Sequence, residues 1–356
     1  MTTPEIEVGD DLYARSTPAL ARMLDRVRPW VDAAYDARAT GVEHLRSPGA
    51  ALVVGNHSGG PLAMFEPLVL AHALRRGLGV ERMPHLLLHE VMWRTPFARG
   101  IAKLGAVRAS RLNADGLLAR GEKVLVYPGG DREPFRHFLD RDRIAFGERR
   151  GYLQMAIAHG VPVVPVVTAG MHSGFVCLGD GHALAQRLPL ARSLRVGVLP
   201  TTLSFPFGLT FGAPPPYVPI AGRVRIRVLP PIQFTRSGAE AAADKSYVEA
   251  CHRTIVNAMQ RALSELSTER RDERRAALHG RIDAVVDTVA SLAPRFLGAL
   301  VAARRVAAHA SLDRMLDAIE TLTQRPRAIE APTKAPVSLP PRTRAADTAS
   351  ALRRAA

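Results

Sequence analysis

Short apolar runs alternate with longer amphipathic segments along this chain, and this alternation restricts its fold more than any other feature. Ala51–Gly55 is a short apolar run, typical of a strand that is buried on both faces. A segment with helical spacing, 62–76, follows it, and the same order of run and segment recurs up to residue 168. Short apolar strands that alternate with helices predict an α/β fold with a mostly parallel sheet.

The same pattern predicts the other elements of the chain. Strands are expected at 51–55, 85–88, 106–108, 123–127, 163–168 and 223–229. Helices are expected at 18–38 with an interruption at Pro29, and at 62–76, 93–103, 113–120, 148–159, 247–266, 282–304 and 311–322. We find no internal repeat in the sequence.

Four regions follow from these elements. Residues 1–44 form an N-terminal amphipathic helical segment, 45–270 the α/β domain, and 271–324 the C-terminal helices. From residue 325 to 356, five prolines and seven lysines or arginines stand among small residues. That composition predicts a disordered basic tail.

The chain is strongly basic. It has 48 Lys and Arg residues against 33 Asp and Glu residues, a formal net charge of +15, and only four of the 48 are lysines. Such an excess favours nucleic acid, an anionic membrane face or phosphate-bearing small molecules as partners. No helix-turn-helix, RNA-binding or zinc-finger pattern accompanies the charge, so nucleic acid is not an expected partner.

Cysteine usage and the N-terminus predict a cytoplasmic location. The two cysteines, Cys177 and Cys251, are too few for a disulfide framework, which favours a reducing compartment. The acidic segment 1–11 lacks the charged and apolar regions of a signal peptide.

An uncharged stretch, 196–222, bears on membrane attachment. Its length would suffice to span a bilayer, but its six prolines break any helix through it. The stretch is therefore either an apolar surface that dips into lipid or a Pro-rich loop in the core. Beside a basic body, the first alternative predicts peripheral attachment at the inner face of the membrane.

Two polar motifs directly follow apolar strands. Asn56 and His57 come after the first strand and precede two glycines, and the second motif, 128–132, places Gly129, Gly130 and Arg132 after the strand at 123–127. The carboxyl ends of parallel strands are where α/β folds bind ligands, and glycine permits close approach to the backbone. Together they predict a site at this edge of the sheet.

With two further motifs, these residues resemble the glycerolipid acyltransferase family over about residues 45–235. Asn56-His57 resembles the first family block, 105–111 with Arg108 and Arg111 the second, 128–132 the third, and the Pro-Val strand at 161–166 the fourth. Residues 143–172 are also similar to the subgroup that includes the diacylglycerol acyltransferases. The resemblance implies a glycerol-3-phosphate acyltransferase-like sheet flanked by helices, with helical N- and C-terminal additions.

The resemblance also implies the chemistry. His57 is the general base that takes the proton of a lipid hydroxyl as this attacks the thioester of acyl-CoA, which is a co-substrate; no cofactor and no metal are expected. Arg132 binds the phosphate or another oxyanion of the acceptor, because its planar guanidinium offers two parallel hydrogen bonds. Asn56, Gly129 and Gly130 also belong to the substrate-binding set, as do Arg108 and Arg111 (the weaker candidates).

The sequence departs from the family pattern at two positions. The usual aspartate five residues after the histidine is replaced by Leu62, and Gly129 stands where the third block has a glutamate. Related subgroups place the acid later, where this chain has Phe65 and then Glu66. The chain therefore uses Glu66 to orient His57, works with a weakened base, or is an inactive relative.

The sequence thus predicts an acyl-CoA-dependent O-acyltransferase of phospholipid or glycerolipid biosynthesis, with His57 and Glu66 as its catalytic residues. The acceptor class remains open among lysophosphatidic acid, other lysophospholipids and acylglycerols. The alternative is a catalytically impaired, lipid-binding relative of the same fold. The oligomeric state also remains open.

Overall fold

A computed structural model describes residues 7–60, 65–174, 176–187, 197–204, 208–212, 222–292 and 298–324. The chain divides into two compact units, 1–313 and 314–356. The first unit contains both sheets and all of the predicted site residues. The second is described over 314–324, where it is helical.

The described residues contain ten α-helices and ten strands. The helices are α1 (Thr17–Tyr35), α2 (Glu66–Leu78), α3 (Glu90–Trp93), α4 (Ala98–Lys103), α5 (Arg111–Ala119), α6 (Gly151–His159), α7 (His182–Arg187), α8 (Ala239–Ala243), α9 (Lys245–Leu292) and α10 (Gly298–Gln324). The strands are β1 (Arg38–Thr40), β2 (Ala51–Gly55), β3 (His85–Leu88), β4 (Ala106–Arg108), β5 (Lys123–Val126), β6 (Val163–Ala169), β7 (Val176–Gly179), β8 (Thr201–Ser204), β9 (Gly208–Phe211) and β10 (Arg225–Val228).

Seven strands form the central sheet, in the order β1-β10-β6-β2-β5-β3-β4. The five strands from β6 to β4 are parallel to one another, and β10 is antiparallel to β6. The prediction of a mostly parallel sheet flanked by helices, with helical C-terminal additions, is therefore confirmed. Because β6, β2 and β5 are neighbours, the loops that follow them meet at one edge of the sheet.

The sheet is buried on both faces. Along β2, Leu52 and Val54 join a cluster with α5, α6 and α9, whereas Ala51 and Val53 join a cluster with α1 and α2. This alternation follows from the two-residue period of side chains along a strand. It also explains why the sequence of β2 is apolar at every position instead of every second one.

The predicted interruption of the first helix at Pro29 is wrong. The helix α1 is continuous from Thr17 to Tyr35, with Pro29 inside it. Proline removes one backbone hydrogen bond, a cost of about 3 kcal/mol in a helix interior. Buried side chains on both sides of it, such as Leu24 and Tyr35, hold the helix against the sheet and offset that cost.

Two other helix predictions also need correction. The single helix expected at 93–103 is divided into α3 and α4, because Pro96 lies between them. The break expected between residues 304 and 311 is absent, and this segment lies within α10. The helix α9 continues through residue 270 and ends at Leu292.

The structure shows a short repeat that the sequence analysis missed. Two triplets with the same spacing of four residues face each other: Arg275, His279 and Asp283 on α9, and Arg305, His309 and Asp313 on α10. The two imidazole rings stack with their centroids 4.5 Å apart. Each histidine lies beside the other helix's aspartate, at 3.1 Å and 3.3 Å. The repeat therefore joins the two helices.

The uncharged stretch 196–222 contributes two strands of a small antiparallel sheet, in the order β7-β8-β9. Leu203, Leu209 and Phe211 are half-exposed or more on this sheet. Residues 196, 205–207 and 213–221 of the stretch lie outside the described residues, as does the predicted disordered tail at 325–356. No helix in the described part of the chain combines the length and the apolar composition needed to cross a membrane.

Candidate active site

His57 lies two residues beyond the end of β2, at the centre of the sheet edge where β6, β2 and β5 end. Its side chain is 19% exposed. Gly59 and Gly60 follow with φ values of 97° and 52°. Glycine adopts such positive values without a steric penalty, so this turn redirects the chain toward α2.

Glu66, the first residue of α2, contacts His57. Its Oε2 lies 2.7 Å from Nδ1 of His57 and accepts the backbone N–H of Ser58 at 2.9 Å, while Oε1 accepts the Ser58 hydroxyl at 3.1 Å. The glutamate is buried and stands in the first turn of a helix, where the helix dipole favours a negative charge. Position 62, where the family aspartate would stand, lies outside the described residues.

Asn56 holds the histidine loop to the neighbouring strand. Its Nδ2 donates to the carbonyl of Thr168 at 3.0 Å, and its Oδ1 accepts the N–H of Thr168 at 2.8 Å. The side chain is fully buried, so these two bonds satisfy both ends of its amide. Asn56 thus continues the pairing of β2 and β6 past the last strand residue.

Tyr127 covers one face of the histidine. The two rings are stacked with centroids 4.6 Å apart and planes 25° from parallel. Burial, together with the carboxylates of Glu66 and Glu133, raises the pKa of Tyr127 well above its usual value. The phenol is therefore neutral, and its hydroxyl makes no hydrogen bond within the described part of the chain.

The glycine turn after β5 carries Arg132. The turn is closed by a hydrogen bond from the N–H of Gly130 to the carbonyl of Tyr127 at 3.1 Å, and Gly130 has a positive φ of 58°. The Arg132 guanidinium is about half-exposed, and its Nη2 and Nε lie 3.0 Å and 3.1 Å from one oxygen of Asp180. The arginine therefore already binds a carboxylate, and an anionic ligand could take the place of this carboxylate on the guanidinium.

Glu133 is a residue of this site that the sequence analysis missed. Its buried carboxylate accepts the backbone N–H of His57 at 2.9 Å. Burial raises its pKa, which the nearby Arg136 and the donated N–H groups oppose. In the sequence, Glu133 stands out only as a charged residue that follows the predicted anion-binding Arg132. A charged residue in a turn is usually exposed to solvent, so this signal did not mark it as part of the site.

Two of the predicted binding residues lie apart from this group. Arg108 ends β4, the edge strand, which is three strand spacings or about 14 Å from β2. Its guanidinium is held by Glu90, at 2.9 Å, and by two other carboxylates. Arg111 is 65% exposed beside Asp115 on α5. The structure thus brings Glu66 to His57, next to Asn56, after β2, and it places Gly129, Gly130 and Arg132 after the neighbouring strand β5; Arg108 and Arg111 lie apart from both groups.

An apolar cavity of about 150 Å³ lies between the sheet and the helices α1, α2 and α4. Pro67, which follows Glu66 directly, is one of its lining residues. The lining also includes the apolar residues Leu20, Val53, Leu70, Ala71, Leu74, Met83, Leu86, Leu88, Ile101, Leu104, Ala106 and Leu125. A cavity of this size and lining takes apolar groups in preference to water.

The arrangement is suited to proton transfer. The contact with Glu66 occupies Nδ1 of His57, so Nε2 is the nitrogen left to accept a proton. A buried carboxylate at Nδ1 fixes the tautomer and stabilises the imidazolium that forms when Nε2 is protonated. The turn of Arg132 follows β5, the strand next to β2, and Pro67, which follows Glu66, lines the apolar cavity.

Parts of the chain are similar to known proteins. Residues 36–169 match the model of a protein family described as Acyltransferase. An uncharacterised protein of Mycobacterium leprae is 28% identical over 239 residues, which are 67% of this chain and 62% of that protein. A Gallus gallus protein named "DGAT1/2-independent enzyme synthesizing storage lipids" is 29% identical over 173 residues, 48% of this chain and 49% of that protein.

The chain spans about half to three fifths of the length of these curated relatives. Among solved structures, the 1-acyl-sn-glycerophosphate (LPA) acyltransferase of Thermotoga maritima gives a TM-score of 0.44 at 15% identity. That superposition covers 70% of this chain and 79% of the Thermotoga chain.

Proposed function

We propose that this chain is a member of the glycerolipid acyltransferase family, because its residues 36–169 match the Acyltransferase family model. It transfers a fatty acyl group from acyl-CoA to a hydroxyl of a glycerol-based lipid. The observation that carries this proposal is the contact of 2.7 Å between His57 and Glu66 beside the turn of Arg132. A base that is oriented by a buried acid serves the activation of a hydroxyl.

In this proposal, His57 moves the proton. Its Nε2 takes the proton of the acceptor hydroxyl while the hydroxyl oxygen forms a bond to the thioester carbon. The carbon–sulfur bond then breaks, and the proton passes from Nε2 to the sulfur of the departing CoA. Glu66 keeps Nδ1 as the donor throughout and stabilises the positive charge on the ring. Such proton transfer typically contributes 10²- to 10⁴-fold in rate.

Arg132 binds the anionic part of a substrate. Its guanidinium already holds the Asp180 carboxylate with two hydrogen bonds, at 3.0 Å and 3.1 Å. A phosphate of the acceptor offers a higher charge and the same geometry, so it displaces Asp180 from the arginine. Arg108 and Arg111 stay proposed as binding residues for a more distant part of a substrate, such as the phosphates of CoA.

The acyl chain occupies the apolar cavity. Pro67, next to the residue that contacts the base, lines the cavity, and the lining is apolar. Burial of each methylene group is worth about 0.8 kcal/mol, so a cavity in this place favours an acyl substrate over a polar one.

The protein binds its lipid acceptor at an anionic membrane surface. A net charge of +15 supports attraction to anionic lipid, and Leu203, Leu209 and Phe211 offer exposed apolar side chains on the small sheet. The name of the Gallus gallus relative refers to storage lipids, which supports acylglycerols as acceptors beside lysophospholipids.

The test is the release of free CoA from palmitoyl-CoA, with a panel of lipid acceptors in liposomes. We expect acceptor-dependent release by the wild type and its loss in His57→Ala. His159→Ala is the matched control, because His159 is an exposed histidine on α6 that pairs with Asp115 at 2.8 Å. Full activity of His57→Ala would remove the proposed mechanism. Vesicle binding without any CoA release would instead establish the impaired, lipid-binding relative.

A further inference from the structure

The peptide groups on both sides of the His57 α-carbon are fixed by one short turn of the chain. The N–H of His57 is bound by Glu133, whose Oε2 accepts it at 2.9 Å. The carbonyl of His57 is bound by Arg136, whose Nη1 donates to it at 2.8 Å. Because Glu133 and Arg136 are three residues apart, a single turn holds the backbone that carries the base.

Both side chains of this turn are buried, and each has further partners. The second oxygen of Glu133 accepts the N–H of Ala145 at 3.2 Å. Arg136 also donates to the carbonyls of Glu133, Asp140 and Arg141 at 2.8–3.0 Å. A buried carboxylate that is hydrogen-bonded and close to a buried guanidinium is held in one geometry.

The position of Glu133 bears on the missing glutamate of the third family block. A Cβ placed on Gly129 would lie 2.2 Å from Oε2 and 2.4 Å from Cβ of Glu133. The φ of Gly129 is not positive, so the backbone itself would accept a side chain there. What excludes a side chain at 129 is that Glu133 already fills the space.

We propose that the Glu133 carboxylate positions the base His57, and that it takes the role that a glutamate at position 129 would have. The proposal rests on the function proposed above, in which His57 is the base. Glu133 touches neither the imidazole ring nor the reacting atoms. It acts through the backbone of His57, whose placement sets the distance from Nε2 to the acceptor hydroxyl.

Three variants test this proposal in the CoA-release assay. We expect kcat to fall about 100-fold in Glu133→Ala, since a displacement of about 1 Å in a catalytic group costs that much. We expect a smaller loss, about 10-fold, in Glu133→Gln, because glutamine supplies one acceptor for two N–H donors. The KM for acyl-CoA stays within about twofold of the wild type in both, because substrate does not contact Glu133.

The double variant Gly129→Glu/Glu133→Ala separates positioning from folding. Removal of the Glu133 side chain opens the space beside position 129, so we expect the double variant to recover at least about 10-fold in kcat over Glu133→Ala. Glu148→Gln, at an exposed glutamate of the same connection, is the control and keeps the wild-type kcat. Wild-type kcat in Glu133→Ala would overturn the proposal. A double variant that folds but is as slow as Glu133→Ala would overturn the inference that a glutamate at position 129 can replace Glu133.

Amide hydrogen exchange supplies a readout that needs no activity. The His57 N–H is bonded to Glu133 in the wild type, so we expect its exchange to be at least about 10-fold faster in Glu133→Ala and slow again in the double variant. An unchanged exchange rate would overturn the proposal. If the wild type releases no CoA with any acceptor, the proposed function fails, and this measurement still decides whether Glu133 holds His57.

Discussion

One carboxylate oxygen of Glu66 contacts both the imidazole ring of His57 and the backbone N–H of Ser58. Its Oε2 lies 2.7 Å from Nδ1 of His57 and 2.9 Å from the N–H of Ser58, and Oε1 accepts the Ser58 hydroxyl. Three donors thus hold a carboxylate that is 1% exposed. Because the carboxylate cannot rotate without breaking these bonds, the ring of His57 is kept in one orientation with Nε2 as its basic nitrogen.

The first prediction concerns this carboxylate. In Glu66→Gln the amide can present an N–H to Nδ1, which favours the wrong tautomer of the imidazole. We expect kcat to fall at least about 100-fold, with a KM for acyl-CoA within about twofold of the wild type. CoA release with the best acceptor measures both constants, and Glu148→Gln is the matched control. An unchanged kcat would show that the base works without its acid.

Six of the seven strands of the central sheet were predicted, because most of them are buried parallel strands, which have their own sequence signature; β1 and the three strands of the small sheet were missed. The segments β2, β3 and β4 have the expected bounds, and each is a short apolar run next to turn residues. The helix boundaries were less predictable. Pro96 ends a helix where Pro29 does not, and the difference is the burial of side chains on both sides of Pro29, which only the packed structure shows.

The site was predictable to the extent that it depends on the ends of neighbouring strands. His57 and Arg132 follow β2 and β5, so a parallel sheet brings them to one edge. The contact of Glu66 with His57 was one of three alternatives that the family pattern left open, and its path across a turn with two glycines of positive φ does not follow from spacing. The bond from Glu133 to the His57 backbone, through a 3-10 turn, was not predicted.

The second prediction concerns Arg132. In Arg132→Gln the loss of a charge-assisted hydrogen-bond pair should raise the KM of a phosphate-bearing acceptor about 10- to 100-fold. In Asp180→Asn the carboxylate no longer competes for the arginine, so the same KM should fall. Arg253→Gln is the control, since Arg253 is exposed on α9 and has no part in the proposed site. Equal effects on phosphate-bearing and neutral acceptors would contradict a phosphate-binding role.

The third prediction concerns the apolar cavity. In Ala71→Phe the new ring fills part of the cavity of about 150 Å³, so the end of a long acyl chain loses its space. We expect the preference among saturated acyl-CoA substrates to move to shorter chains, by several methylene groups. The ratio of kcat/KM for decanoyl-CoA and palmitoyl-CoA measures this shift. Ala119→Phe, at an exposed position on α5, should leave the ratio unchanged.

The fourth prediction concerns the small sheet as a lipid-contacting surface. Leu209 and Phe211 are 54% and 68% exposed on β9. Replacing both by serine removes apolar surface worth about 1.5–3 kcal/mol for each side chain that enters lipid, so vesicle binding should weaken at least about 10-fold. Flotation with vesicles that contain anionic lipid measures the loss. Leu112→Ser is the control because Leu112 is 81% exposed on α5. Equal losses in both proteins would contradict a role for this surface.

The last prediction concerns acid stability. Burial, with a smaller contribution from Arg15, lowers the pKa of His85 from 6.5 to about 4. Between these two values the unfolded chain takes up a proton at this residue and the folded chain does not. The free energy of unfolding therefore falls as the pH falls from 6.5 toward 4, by about 3 kcal/mol for a shift of this size.

His85→Leu removes this proton uptake and keeps an apolar group at the start of β3. Its free energy of unfolding, from urea titrations at several pH values, should fall less between pH 6.5 and 4.5 than that of the wild type, by about 2 to 3 kcal/mol. Some acid destabilisation remains in both proteins, because burial also lowers the pKa of His252 to about 4. Parallel pH profiles for the two proteins would show that His85 is protonated in the folded state as readily as in the unfolded chain.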